Sequence, residues 1–166
     1  MEQEAVTQRV LDALARLPVR GLLTLGPALE SIEVSPPPNV AVHSFVPHAD
    51  VLPHASAVVT HAGQGTAMVA LAHGVPLVCT PLGRDQNTVA ARVQACGAGI
   101  ALPPTATAPR VRRAVGNVLA DAAYARGARR MATAIRRYGN GSRAVELLEA
   151  LASPQASRRR ATRPAA

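Results

Sequence analysis

The chain has 166 residues, 48% of them hydrophobic, so it is long enough for one domain with a single core. Its net charge of +8 is uneven, because residues 1–109 carry five arginines and seven acids, whereas residues 110–166 carry thirteen arginines and three acids. One Phe, two Tyr and no Trp offer little for base stacking, so this basic region does not favour a specific nucleic-acid partner.

Strand-like apolar runs alternate with helical patterns along the chain, and Pro and Gly punctuate them. The pattern predicts strands over Gly21–Leu25, Val40–Phe45, Ala57–Thr60, Val75–Thr80 and Gly99–Leu102. It predicts helices over Ala5–Leu17, Thr66–His73, Asn87–Cys96, Ala108–Leu119, Ala122–Tyr138 and Ser142–Leu151. This alternation is typical of an α/β fold in which a Rossmann-like parallel sheet is flanked by helices.

The domain organisation follows from composition. We expect residues 1–152 to form one domain and residues 153–166 to form a basic, disordered tail, because the tail has Arg158-Arg159-Arg160 but almost no large apolar residues. No signal peptide and no apolar run of membrane-spanning length is recognised, so we predict a cytoplasmic location without a transmembrane segment. Five histidines and two cysteines lack zinc-ligand spacing, so we predict no metal site.

The segment from Thr60 to Thr66 is the most informative motif. The apolar run that ends at Thr60 leads into His61-Ala62-Gly63-Gln64-Gly65, and a helical pattern follows. Glycines allow unusual dihedrals and close backbone approach, and the first amides of a helix attract anions. We predict a diphosphate-binding turn, although a glycine-rich turn of this kind also occurs where only tight packing is required.

A second polar turn follows the next predicted strand. His73-Gly74 is a helix stop signal, and Asp85-Gln86 opens the helix after the strand over Val75–Thr80. Ligands of open parallel sheets bind outside the carboxyl ends of the strands. We therefore expect the two turns to line one crevice. Asp85 has an alternative interpretation as an ordinary helix N-cap.

Several segments in this order resemble the C-terminal, donor-binding half of GT-B glycosyltransferases. The family includes the UDP-glycosyltransferases and the bacterial macrolide and antibiotic glycosyltransferases, and the bacterial members are the more similar. The segments are Phe45–His48, Val51–Ala55, Thr60–Thr66, Ala70–Pro76, Asp85-Gln86 and Gly97–Gly99. The resemblance covers about the first 150 residues and implies the C-terminal domain of a GT-B fold.

The resemblance also implies binding roles for particular residues. They are His61, Gly63, Gly65 and Thr66 for the donor diphosphate, Asp85 and Gln86 for the sugar, and Phe45, Val46 and His48 for the base. Many members have a glutamate that holds the ribose at the position of Val69, and a valine cannot accept those hydrogen bonds. Our hypothesis is therefore a dTDP-sugar, or another donor less dependent on that contact than a UDP-sugar.

The function implied is transfer of a hexose from a nucleoside-diphosphate sugar to a hydroxyl of a small acceptor, such as a natural product, without a metal or another cofactor. The general base of the family lies in an N-terminal acceptor domain, so no catalytic residue is assigned within this chain. We expect a domain that lacks its first strand, from a truncated or split enzyme with a separate acceptor-binding subunit, and with little activity alone. The alternatives are a non-catalytic nucleotide-sugar-binding or partner subunit, and a sugar-nucleotide epimerase, which would need more acids than Asp85 in the cleft.

Overall fold

The computed structural model describes residues 2–26, 33–138 and 142–152. The strands are β1 (Gly21–Thr24), β2 (Val40–His43), β3 (Val58–Thr60), β4 (Leu77–Cys79) and β5 (Gly99–Ala101). The helices are α1 (Glu2–Leu14), α2 (His48–Val51), α3 (Gln64–Ala72), α4 (Gln86–Ala95), α5 (Ala108–Ala120), α6 (Ala122–Tyr138) and α7 (Ser142–Ala152), with a 3-10 turn over Leu52–His54. All predicted strands and helices are present, with boundaries that agree to within a few residues, and the α/β class is confirmed.

The described strands form two parallel sheets, whereas the sequence predicts one. β1 pairs with β2, with Gly21 opposite Val40, and β4 lies between β3 and β5 in the second sheet. The predicted arrangement of parallel strands flanked by helices is confirmed, and the sheet is divided because β1 and β3 do not hydrogen-bond to each other. The hydrophobic pattern of the sequence predicts strands, but it does not determine which strands pair with each other.

The main core lies between the helices α1 and α5 and the second sheet. Its buried members include Ala13 of α1, Val78 of β4 and Val111 of α5, all at most 1% exposed. α1 packs along α5, and Val10, Leu14 and Leu17 extend the core on the α1 side. These apolar positions recur at helical spacing, so one face of α1 is buried against the core.

Two glycines allow close backbone packing next to β5. A Cβ on Gly99 would overlap the carbonyl of Leu77, and a Cβ on Gly127 of α6 would overlap the carbonyl oxygen of Gly97. Gly97 itself has a φ of +64°, which ends α4 in a left-handed turn. The start of α6 is thereby packed directly against the turn that leads into β5.

The chain forms two compact units, with the boundary after Ala132, inside α6. Among the described residues, the second unit comprises the end of α6 and α7, whose Val145, Leu147, Leu148 and Leu151 are at least 50% exposed. The predicted tail over residues 153–166 and the turn over residues 139–141 lie outside the described residues. Within the described ranges, no helix combines the length and apolarity that a membrane span requires.

Candidate functional site

The turn after β3 is shaped by Ala62. Ala62 has a φ of +64°, and its N–H donates to the buried Thr60 Oγ1 at 3.2 Å. The two glycines of the motif do not use their backbone freedom, because neither Gly63 nor Gly65 has a positive φ and Gly63 has a φ of −58°. The side-chain bond from Thr60 and the complete burial of Ala62 hold the left-handed residue in place.

Gly63 leaves room for the His61 ring at the start of α3. Gly63 is the N-cap of α3, and a Cβ on it would lie 2.6 Å from His61 Nε2. The imidazole therefore packs over the backbone at the start of the helix, with the His61 side chain exposed to solvent. The structure places this predicted diphosphate ligand directly beside the predicted anion-binding amides.

The first turn of α3 offers open backbone donors. The helical bonding begins with the Ala67 N–H, which donates to the Gly63 carbonyl at 3.0 Å, so the amides of Gln64, Gly65 and Thr66 precede the first bonded turn. A Cβ on Gly65 would meet no atom within 4 Å. The side-chain position of Gly65 is therefore open, and the helix dipole adds about 0.3–1 kcal/mol for an anion placed at these amides.

The turn after β4 is adjacent to the turn after β3. Thr60 pairs with Cys79, and the Thr80 N–H donates to the Thr60 carbonyl at 2.8 Å. The segments that follow β3 and β4 therefore leave the sheet next to each other. The carboxyl ends of β3 and β4 thus lie next to each other. The turn that contains His61 and the segment that leads to Asp85 both begin at this edge of the sheet, which we refer to as the crevice.

The side chains of Asp85 and Gln86 differ in their hydrogen bonds within the protein. Asp85 is the N-cap of α4, but its exposed side chain makes no capping hydrogen bond, so the carboxylate is available to a ligand. Gln86 Oε1 accepts the Leu82 N–H at 2.7 Å. Because the carbonyl oxygen of Gln86 fixes the turn, only its amide nitrogen is left to contact a sugar hydroxyl.

Arg84 is a residue that sequence reasoning missed. It is exposed, has a φ of +55° and directly precedes Asp85, with Gly83 at φ +146° before it. The sequence signal for this turn was the glycine at position 83 directly before Arg84 and the start of α4, because glycine is common in tight turns. A cation in this turn adds positive potential to the crevice.

The predicted base-binding residues follow β2, in the other sheet. Phe45 is 71% exposed, Val46 is half-buried, and His48 begins α2 with its side chain exposed. In the described part of the chain, no hydrogen bond joins these residues to the turn after β3. The structure shows an exposed aromatic ring at the carboxyl end of β2, but no contact that connects it to the crevice.

Three of the other histidines are exposed, and Cys79 is buried. Of the described residues, no three His, Cys, Asp or Glu side chains cluster in a way that would hold a metal ion. His43, His54 and His73 are exposed, and His73 Nδ1 lies 2.9 Å from the Val69 carbonyl. Cys79 in β4 is fully buried, and desolvation raises the pKa of its thiol to about 11.

Comparison with known proteins agrees with this fold. The family model for the C-terminal domain of erythromycin biosynthesis protein CIII-like proteins matches residues 8–151. The chain therefore belongs to this family, and the resemblance seen in the sequence is confirmed. The demethyllactenocin mycarosyltransferase of Streptomyces fradiae is 38% identical over 157 residues, covering 93% of this chain and 34% of that protein.

Solved structures give the same result. The calicheamicin glycosyltransferase CalG4 superposes with a TM-score of 0.79 at 33% identity, covering 91% of this chain and 39% of that one. The spinosyn rhamnosyltransferase SpnG, complexed with thymidine diphosphate, gives 0.80 at 27% identity, covering 87% and 40%. This chain therefore spans about a third of the length of the mycarosyltransferase and about two fifths of these structures.

Proposed function

We propose that this chain is the donor-binding part of a glycosyltransferase that transfers a hexose from a nucleoside-diphosphate sugar to a hydroxyl of a natural product. The observation that carries the proposal is the crevice at the ends of β3 and β4. There the open amides of Gly65 and Thr66, the exposed His61 ring and the uncapped Asp85 carboxylate share one edge of the sheet.

The charges of the crevice suit departure of a diphosphate. When the bond between the anomeric carbon and the diphosphate breaks, negative charge grows on the leaving oxygens. Fixed amides and a histidine placed at those oxygens stabilise that charge without having to reorganise. Asp85 and the Gln86 amide would hold the sugar hydroxyls, so that the anomeric carbon faces the acceptor. Neither step needs a metal, and the proposal is for transfer without one.

We do not assign the acceptor site or the general base to this chain. The general base and the acceptor site belong to a second region, which we propose to be a separate subunit or another part of a longer polypeptide. The chain on its own should bind a nucleotide but transfer little sugar. We also propose the cytoplasmic location predicted from the sequence, which cell fractionation would test.

We propose thymidine diphosphate as the preferred nucleotide. Val69 stands on α3, three residues after Thr66, and has no side-chain group that can accept a hydrogen bond from a ribose hydroxyl. A deoxyribose lacks the 2′-hydroxyl, so a nucleotide that contains it loses fewer hydrogen bonds at this position than a ribonucleotide does. SpnG and the glycosyltransferase VinC have been solved in complex with this nucleotide, which supports the choice.

Calorimetric titration of the purified chain with dTDP and UDP tests the nucleotide site. His61→Ala should weaken dTDP binding by about 1 kcal/mol or more, because it removes a hydrogen bond to a charged oxygen. His54→Ala is the matched control, since His54 is an exposed histidine in the turn before β3 and outside the crevice. Equal weakening by both variants, or no binding by a folded wild-type chain, would refute the diphosphate site.

The sugar contact is tested separately with Asp85→Asn. The substitution should leave the affinity for dTDP unchanged and lower the affinity for a dTDP-hexose, because only the hexose reaches the carboxylate. The absence of a capping bond from Asp85 means that the free energy of unfolding should change little. A variant that binds the dTDP-hexose as tightly as the wild type would remove Asp85 from the proposal.

A further inference from the structure

A groove lies between α3 and α4, the helices that follow β3 and β4. α3 lines it with residues at the spacing i, i+3, i+4 and i+7, namely Gln64, Ala67, Met68 and Leu71. α4 and its C-cap line it at the same spacing, from Val89 to Cys96. This spacing places each set on one face of its helix. The groove has a volume of about 300 Å³ and lies wholly within the first compact unit.

The groove is mainly apolar, with a buried floor and an exposed rim. Leu71 and Val93 are at most 5% exposed, whereas Met68 is 43% exposed. Met131 of α6 completes the lining and is half-buried. It lies one turn after Gly127, where α6 packs against the turn that ends α4. Methionine side chains adapt to the shape of a partner, so two of them beside an aliphatic floor favour protein docking.

The chemistry of the groove fits a helix better than a small ligand. Of the side chains that line it in the described part of the chain, only those of Gln64 and Arg92 have a nitrogen or oxygen atom. Small-molecule sites usually hold several polar groups that converge on the ligand. A docked helix instead needs an apolar channel that receives its side chains at i, i+3, i+4 and i+7. The two rows of residues from α3 and α4 form such a channel.

One end of the groove is positively charged. α3, α4 and residues 122–132 of α6 contain no acidic residue and four arginines, Arg92, Arg126, Arg129 and Arg130. The exposed Arg92 lines the groove and makes no ion pair with the described part of the chain. Arg130 Nη2 donates to the carbonyl of Cys96, a lining residue, at 3.4 Å. The acid nearest to α4 in sequence is Asp85, which precedes the helix and lies about two turns before Arg92. The end formed by Arg92 and Cys96 therefore attracts negative charge.

We propose that the groove docks an acidic amphipathic helix of a partner protein. Aliphatic side chains of that helix would pack between α3 and α4, and its carboxylates would face Arg92 and Arg130. A second copy of this chain fits less well, because a symmetric contact would place like charges opposite each other. An anionic membrane also fits less well, since an interfacial helix inserts a protruding apolar face, whereas these residues line a concave groove.

Fluorescence anisotropy with a labelled helical peptide tests the proposal. The peptide has about 15 residues, with leucines at the spacing of the groove and glutamates beside them. The chain should bind it about tenfold or more tightly than a peptide with lysines in place of the glutamates. Arg92→Glu should remove this preference and favour the lysine peptide. Arg112→Glu is the matched control and should bind both peptides as the wild type does, because Arg112 is an exposed arginine of α5, a helix outside the lining.

The apolar contact is measured separately through the methionine methyl groups. The NMR signals of methyl-labelled Met68 and Met131 should shift on titration with the glutamate peptide. Met68→Glu should weaken binding of this peptide by about tenfold or more, because it places a charge at the apolar rim. Met68 is exposed enough for the substitution to leave the fold intact, which urea unfolding checks.

Three kinds of result would overturn the inference. The first is a folded wild-type chain that binds neither peptide, or binds both equally. The second is a dimer of the wild-type chain in sedimentation that Met68→Glu dissociates, because a second copy would then fill the groove. The third is binding to phosphatidylglycerol vesicles that Met68→Glu abolishes. None of these measurements uses a nucleotide, so they are independent of the proposed donor site.

Discussion

Replacing Gly65 by alanine should weaken nucleotide binding without destabilising the fold. A Cβ at this position meets no atom within 4 Å, so the methyl group causes no clash. In a helix interior, alanine is favoured over glycine by about 0.5–1 kcal/mol, and the benefit is smaller in the first turn. The free energy of unfolding should therefore stay the same or rise slightly.

The effect on binding has the opposite sign. The new methyl group would occupy the space in front of the α3 amides, where the proposal puts a phosphate oxygen. Loss of one hydrogen bond to a charged oxygen costs about 1.5–3 kcal/mol, which corresponds to about tenfold to hundredfold in the dissociation constant. Calorimetric titration with dTDP measures this, and urea unfolding measures stability.

Gly116→Ala in α5 is the matched control. Gly116 is also a helical glycine whose added Cβ would meet no atom within 4 Å, but it lies on a helix outside the crevice. Its alanine variant should gain stability and bind dTDP as the wild type does. If Gly65→Ala also binds dTDP with wild-type affinity, no phosphate rests on the first turn of α3 and the reasoning is refuted.

Four further predictions follow from a turn hydrogen bond, from the packing and from the thiols. Gln86→Ala should lower the free energy of unfolding by about 0.5–1.5 kcal/mol in urea titrations, because the turn after β4 loses its side-chain hydrogen bond; unchanged stability would remove that role. Gly127→Ala should destabilise by about 1–3 kcal/mol, since the methyl group overlaps the backbone carbonyl of Gly97, and a wild-type melting temperature would contradict this close contact. A thiol reagent should label the exposed Cys96 rapidly and the buried Cys79 only on unfolding, as mass spectrometry of the labelled peptides would show. The Cys79 pKa is raised from 9.0 to about 11 in the folded chain, so its contribution to stability is complete below pH 9 and is lost as the pH rises to about 11; this loss should disappear in Cys79→Ala and persist in Cys96→Ala.

Much of the fold could be predicted because its signals are local. Apolar runs such as that ending at Thr60, and stop signals such as His73-Gly74, depend on residues close together in sequence. The helix over Ala122–Tyr138 was predicted with the bounds that the structure has. The division into two sheets was not predictable in this way, because strand pairing depends on contacts between residues far apart in the chain.

The candidate site shows the same limit. Its location followed from the order of strands and polar turns. The left-handed conformation of Ala62 did not, because it depends on a bond to Thr60 Oγ1 and on burial of a methyl group. The hydrogen bond between Gln86 and Leu82 could not be predicted either, because the sequence does not distinguish a glutamine that fixes a turn from one that binds a sugar.

The conformation of Ala62 also affects how the crevice responds to a ligand. A residue with a side chain in a rarely populated backbone region costs about 1–3 kcal/mol, and the surrounding fold holds it there before any ligand arrives. The entropy of shaping the turn is therefore lost during folding and not during binding. A nucleotide would meet a preorganised surface, and more of each contact would appear as affinity. Ala62→Gly would relax the strain, but the freer turn would have to be ordered at each binding event.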